Sequence, residues 1–223
     1  MRGRRIAMLA AGAALALLTG CTGLAAPPVG STPTPDPQFA ARQLAAVGLT
    51  VDDFGVGWQL VPGEDGTGGG PLTEQAEGAP CEWTTEWLPG IEPFSTSSWR
   101  MYTAGDDLTF ASDWIIAAAS GVDLRDVLEE FRSTISACEP FAYDDGGTVA
   151  LTPMPPLDLG DDAFSYLATF TGPDGEPWGL GEVHTIVCGP LWIHLSYVGL
   201  DPFVERDALL ATLFERVSPL GGC

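Results

Sequence analysis

Hydrophobic positions along this chain fall into three regimes. Residues Ile6 to Leu18 form an unbroken apolar run of 13 residues, residues 22 to 37 show no apolar period, and from about Gln38 apolar residues recur at helix or strand spacing. In the third regime Phe39, Leu44 and Val47 predict a short helix within Pro37 to Leu49, followed by a turn-like stretch, LTVDDFGVGWQL. Gly63 to Pro80 is mostly Gly, Glu, Thr and Pro and reads as a loop, and core-like sequence resumes near Cys81. Ser97 to Ala104 and Ser112 to Ser120 read as a hairpin around Gly105-Asp106-Asp107. Asp123 then caps a helix whose Leu124, Val127, Leu128, Phe131 and Ile135 keep helical spacing as far as Cys138.

Four further strands are expected at Thr148 to Thr152, Ala163 to Thr171, Gly179 to Val187 and Leu191 to Val198, divided by the breakers PMPP, GPDGEP and CGP. A last helix is signalled by Asp201 as cap and Pro202 at its first position, with Phe203, Leu209, Leu210, Leu213, Phe214 and Val217 as its apolar stripe. The order α, ββ, α, ββββ, α places strands in adjacent runs. That argues for an α+β domain with an antiparallel sheet and flanking helices, rather than a doubly wound parallel sheet. The expectation is helices on one face and an open groove on the other.

The first regime concerns address. Three arginines within Met1 to Arg5 precede the apolar run, which is well short of the roughly 20 residues a membrane-spanning helix needs. Residues 1–20 therefore read as a signal peptide. The run ends in Leu18-Thr19-Gly20-Cys21, which resembles the bacterial lipobox. The resemblance implies that Cys21 receives a lipid, such as a diacylglycerol with palmitate, and becomes the first mature residue. Residues 21–37 carry that cysteine and a Pro/Ala/Thr-rich tether, TGLAAPPVGSTPTPDP. At about 3.1 Å per residue for semi-extended proline-rich chain, the tether reaches roughly 50 Å above the lipid. Residues 38–223, with no second linker and no internal repeat, read as one extracytoplasmic domain on the outer face of the cytoplasmic membrane.

Charge narrows the partners. Without residues 1–20 the chain carries 30 acidic and 6 basic side chains, a net −24 with histidines neutral. Such a surface repels phosphate backbones, so nucleic acid is excluded. It also repels anionic headgroups, which leaves the N-terminal lipid as the expected contact with the membrane. The same charge keeps the domain solvated.

With Cys21 acylated, four cysteines remain: Cys81, Cys138, Cys188 and Cys223. An even number in an oxidising compartment predicts two disulfides, with three connectivities open. No CxxC or CxxH pair exists, so zinc spacing is absent and no metal site is expected. GxSxG, HExxH, SxxK and GxxxxGK[ST] are likewise missing, so the expected domain is not an enzyme, uses no cofactor and has no catalytic residue.

His184 and His194 flank the turn at Cys188-Gly189-Pro190. A three-residue loop would put them on one face of the sheet and a two-residue loop on opposite faces. The doublets Asp52-Asp53, Asp106-Asp107, Asp144-Asp145 and Asp161-Asp162 lie beside Gly or Pro and read as turn chemistry rather than calcium ligands. Of seven tryptophans, Trp83 and Trp87 lie in a segment broken by Thr and Glu, which makes them candidates for the mouth of a ligand pocket.

The tether, the opening helix with LTVDDFGVGW, the cysteine of CEW, the helix ending in SAC and the later strands together resemble the PknH-like extracellular sensor domain of actinobacterial kinases and lipoproteins, over roughly residues 39–220. An actinobacterial source also fits a chain whose nine basic residues are all arginine, the bias of a GC-rich genome. The chain departs from the kinases in its lipobox, in lacking a kinase domain and in placing its last cysteine at the terminus. The resemblance implies a helix-flanked antiparallel sheet, the pairs Cys81 with Cys138 and Cys188 with Cys223, and a ligand-binding cleft. The expected function is a non-enzymatic binding or sensor-like module for a small-molecule, lipid or protein ligand. The alternative is a lipid or glycolipid carrier, which would need a large apolar cavity.

Overall fold

A computed structural model gives the fold, and the residues it describes are 41–68, 81, 94–105, 109–142 and 146–223. All of them fall in one compact unit, Pro35–Cys223; the other unit, Met1–Thr34, lies outside the described residues, as do Cys21, Trp83 and Trp87. The elements run α1 (Ala41–Val47), α2 (Val51–Phe54), β1 (Trp58–Gly68), β2 (Phe94–Ala104), β3 (Thr109–Ala118), α3 (Leu124–Ser136), β4 (Phe141–Ala142), β5 (Thr148–Pro153), β6 (Asp162–Thr171), β7 (Pro177–Cys188), β8 (Leu191–Gly199) and α4 (Arg206–Gly221). The strands form one eight-stranded antiparallel sheet in the order β1-β2-β3-β8-β7-β6-β5-β4. The α+β class with flanking helices is the fold observed.

Strand alternation sorts the core into two layers. On one face Ile115 of β3, Ile186 of β7 and Ile193 and Leu195 of β8 pack with Leu44 and Leu49 around α1, Phe54 of α2, and Leu209, Leu210, Leu213 and Val217 of α4. On the other face Ile116, Phe164, Tyr166, Val183 and Trp192 receive Leu124, Leu128, Phe131 and Ile135 of α3. Helices therefore cover both faces, which corrects the expectation of a single covered face. The α3 stripe that marked the helix in the sequence needs a partner, and the apolar outward residues of β6 to β8 provide it. Phe131 meets Phe164, Tyr166 and Trp192 edge-on with centroids 5.8 to 6.1 Å apart.

Three elements differ from the pattern. The stretch read as turn and loop holds β1, an edge strand that carries Gly63, Gly66 and Gly68 and a register shift between Leu60 and Asp65. Its residues are mostly exposed, so no alternation betrays it, and its charge and irregularity suit an unpaired edge. Gly66 is required there because a Cβ would stand 2.5 Å from the Trp99 ring. Asp52 and Asp53 lie in the short helix α2, where Asp53 accepts from the Thr50 N–H at 2.7 Å in a capping box. They are not turn residues.

The start of α4 is also corrected, because Asp201 and Pro202 do not open it. Glu205 stands at the N-cap, and the residues before it fold as a loop that drives Phe203 into the core. Phe203 stacks on Tyr197 with centroids 4.3 Å apart, and the Tyr197 hydroxyl donates to the Asp201 carbonyl at 2.9 Å. A helix begun at Pro202 would forgo that stack. Two disulfides close the unit: Cys81–Cys138, beyond the end of α3, and Cys188–Cys223, which ties the end of β7 to the C-terminus; their Cα separations are 5.5 and 5.3 Å.

Candidate functional site

A cleft of about 530 Å³ opens between the C-terminal half of α3 and the segment from Pro153 to Ser165. Arg132 and Ser136 form the helix side, and Met154, Leu157, Asp158, Asp161 and Phe164 lie opposite. Both walls are set by local chemistry. The Asp123 side chain caps α3 by accepting from the Arg125 N–H at 3.0 Å. Across the cleft, the segment is held to the end of β7 by the Asp161 N–H, which donates to the Val187 carbonyl at 2.8 Å, and by the Gly189 N–H, which donates to the Asp161 carboxylate at 2.7 Å. Gly160 has φ +70° and a Cβ there would stand 2.4 Å from the Val187 carbonyl, so only glycine permits this approach. A second cleft of about 410 Å³ at the N-terminal end of α3 shares Asp161 with the first.

Arg132 is the organising cation. Its guanidinium pairs with Asp162 at 2.8 Å and with Glu129, and lies 5.6 Å from the centroid of the Phe164 ring. One cation faces three carboxylates in the first cleft, Asp158, Asp161 and Asp162, so its lining carries a net negative charge. It suits a ligand with an apolar body against Met154, Leu157 and Phe164 and hydroxyl or amine groups at the aspartates. It does not suit an anion. Among the described residues no three His, Cys, Asp or Glu side chains are grouped so as to hold a metal ion.

Behind this cleft lies a buried polar cluster. His184 Nδ1 and the Ser165 hydroxyl are 2.9 Å apart, and His184 Nε2 is 3.4 Å from Glu182 Oε2. Glu182 also accepts from the Phe203 N–H at 3.2 Å and pairs with Arg206 at 3.3 Å. Burial works to raise the Glu182 carboxyl pKa, but His184, the Phe203 N–H and Arg206 together hold it below its ordinary value. Serine, histidine and glutamate are the members of an acyl-transfer triad, yet Ser165 and His184 are each 1% exposed and the glutamate is engaged by the loop before α4. The cluster's work is to anchor that loop. A second buried group stands under α1: Tyr102 donates to the Leu49 carbonyl at 2.7 Å and to Asp113 at 3.0 Å, and Arg100 bonds the Leu49 and Ala45 carbonyls.

The arrangement of sheet and helices has a solved counterpart, the crystal structure of the extracellular domain of PknH from Mycobacterium tuberculosis. The two superpose with a TM-score of 0.60 over 81% of this chain and 97% of that one, at 11% sequence identity. The fold is that of the PknH extracellular domain. No family model matches this sequence, and no curated protein does either.

Within this PknH-like fold the chemistry-bearing residues of the sequence are dispersed. The two-residue turn Gly189-Pro190 brings Thr185 opposite His194 and His184 opposite Leu195, so the two histidines point to opposite faces. Burial above all, and His184 second, lower the His194 pKa to about 4, and its Nδ1 lies 3.3 Å from the Thr185 hydroxyl. Asp161 and Asp162 engage the Gly189 N–H and Arg132 respectively, while Asp106-Asp107 and Asp144-Asp145 lie outside the described residues. Trp192 is fully buried, and Trp99 and Trp114 stack with centroids 5.6 Å apart. The cleft residues Arg132, Ser136 and Asp161 had no motif to announce them. The available signals were an arginine among the apolar positions of α3 and the Gly160-Asp161 turn.

Proposed function

We propose that the protein is a lipid-anchored binding module of the cell envelope that takes a ligand, non-enzymatically, in the cleft between α3 and the 153–165 segment. The observation that carries this reading is the cleft itself, built on a capped helix and a pinned loop, with an apolar wall and an unbalanced row of aspartates. The PknH-like fold supports an extracytoplasmic setting, as do the two disulfides. The lipobox and tether support anchoring through Cys21. No helix among the described residues is long and apolar enough to cross a membrane. Three carboxylates in the lining argue against the carrier, which would need an apolar tunnel.

Palmitate labelling of the whole protein in an actinobacterial host is expected to disappear in Cys21→Ser. Native mass spectrometry of residues 22–223 before and after organic extraction is expected to show a one-to-one adduct that extraction removes. An empty chain with both disulfides intact by mass would turn the search away from a resident small ligand.

A further inference from the structure

We propose that the end of the sheet opposite the Gly189-Pro190 turn is a second binding surface, which docks a protein partner bearing an apolar centre within a basic rim. The large hydrophobic side chains that stand half or more exposed among the described residues are Val56 at 106%, Val204 at 87%, Leu200 at 51% and Trp178 at 50%. All four lie at one end of the sheet, Val56 and Val204 on the face that carries Phe54 and Phe203, and Trp178 across the sheet, where its ring packs on Phe170 with centroids 5.2 Å apart. Trp58 pairs with Ala104, Ala104 with Thr109, Phe110 with Val198 and Gly199 with Leu180, so the start of β1, the end of β8 and the start of β7 are level. Val56 stands two residues before Trp58, Leu200 directly follows Gly199, and Trp178 stands two residues before Leu180.

An aromatic layer beneath holds the first part of this surface together. Phe54 lies 4.9 Å from Trp58, Trp58 lies 6.4 Å from Phe203, and Phe203 stacks on Tyr197. Val56 stands two residues after Phe54 and Val204 directly follows Phe203, so both exposed valines adjoin that layer. Hydrophobic side chains exposed singly are ordinary on a soluble protein, whereas a group of them gathered at one end of a sheet marks an interaction site.

The rim decides the occupant. Asp52, Asp201 and Glu205 are exposed around the patch, and the nearby cation Arg206 is already matched by Glu182 and Asp207. An anionic bilayer would meet these carboxylates with like charge, and a second copy would bring the same acidic rim to the contact. A basic-rimmed protein surface is complementary in both respects.

The test uses the complete mature chain with Cys21→Ser and two labelled peptides of equal positive charge, one Lys/Leu amphipathic helix and one Lys/Ser sequence. Fluorescence anisotropy is expected to show the Lys/Leu peptide binding at least tenfold tighter than the Lys/Ser peptide. That preference is expected to vanish in Val56→Ser/Val204→Ser, whose melting temperature is unchanged because both side chains are exposed. A preference that survives the double substitution overturns the proposal. So does binding to anionic vesicles that the substitution abolishes, or a dimer in light scattering that it dissociates.

Discussion

Replacing Cys188 and Cys223 by serine is expected to destabilise the protein by about 4 kcal/mol, the chain-entropy value for closing a loop of this length. The bond spans 35 positions of sequence and contains all of β8 and α4. It also closes a tight junction. A Cβ on Gly189 would lie 2.2 Å from the Gly221 carbonyl, and one on Gly221 would lie 2.5 Å from the Cys188 carbonyl, so the last turn of α4 sits directly on the β7–β8 turn. Cys188 is itself fully buried at the end of β7. Losing the bond is therefore expected to free the end of α4 first, with fast hydrogen exchange from about Arg216 onward, and then to lower the urea midpoint of the whole unit. A loss below about 1 kcal/mol would mean that the Gly189 and Gly221 contacts hold the junction without the bond.

Asp113 gives the second large effect, through pH. It is fully buried, and burial raises its pKa to about 6 in spite of Arg100, whose guanidinium is 3.8 Å away, and the Tyr102 hydroxyl. The groups that face it are Arg100 and Tyr102 from β2, the Leu49 backbone after α1 and, at longer range, Asp53 of α2, which adds to the rise. A carboxyl whose pKa is higher in the folded state binds more protons folded than unfolded between its two values. Folding stability should then increase as pH falls from about 7 towards 4, by something on the order of 2–3 kcal/mol from this residue.

Asp53 opposes it at lower pH. Its hydrogen bonds to Arg216, at 2.7 Å to each oxygen, lead the causes that hold its pKa below the ordinary value, so its contribution is lost as pH falls below about 4. Buried His194, whose pKa is lowered to about 4, works against Asp113 over the same range, because the unfolded imidazole takes up a proton near 6.5 that the folded one does not, so the two contributions largely cancel between pH 7 and 4. Denaturant melts of the wild type and of Asp113→Asn isolate the carboxyl: relative to the wild type, the variant should lose about 2–3 kcal/mol as pH falls from 7 to 4, while both proteins lose stability below 4. A stability difference between the two proteins that stays constant from pH 7 to 4 would show that Arg100 neutralises the buried carboxylate outright.

The parts of this fold legible in the sequence are those with a dense apolar pattern, a helical stripe in α3 and strands buried on both faces in β7 and β8. The α3 stripe from Leu124 to Ile135 and the runs of β6, β7 and β8 announced themselves because their side chains meet one another in the core. What escaped was decided elsewhere in the chain. The edge strand β1 is made by the ladder β2 offers, and its Gly66 by the Trp99 ring. The delayed start of α4 depends on Phe203 finding Tyr197 and Glu182, neither of which is near it in sequence terms that a cap rule could use. The cleft was hidden for the same reason, since Arg132 acquires its role only when Asp162 and Phe164, some 30 residues away, are brought beneath it. The aspartate doublets illustrate the converse. Asp161 works locally in the turn that sequence reasoning assigned it, and the site depends on that turn being held.

The claim that the α3 cleft is the binding site is tested most directly with Ser136→Trp. Ser136 is exposed on the cleft side of α3, so the indole fills the cleft without entering the core. Hydrogen exchange by mass spectrometry would be followed on the wild type and the variant, each with and without the small-molecule extract of the host cell envelope. The account predicts extract-dependent protection of residues 153–165 and of the C-terminal half of α3 in the wild type, and none in Ser136→Trp at unchanged stability. Equal protection in both proteins, or protection confined to other elements, would contradict it.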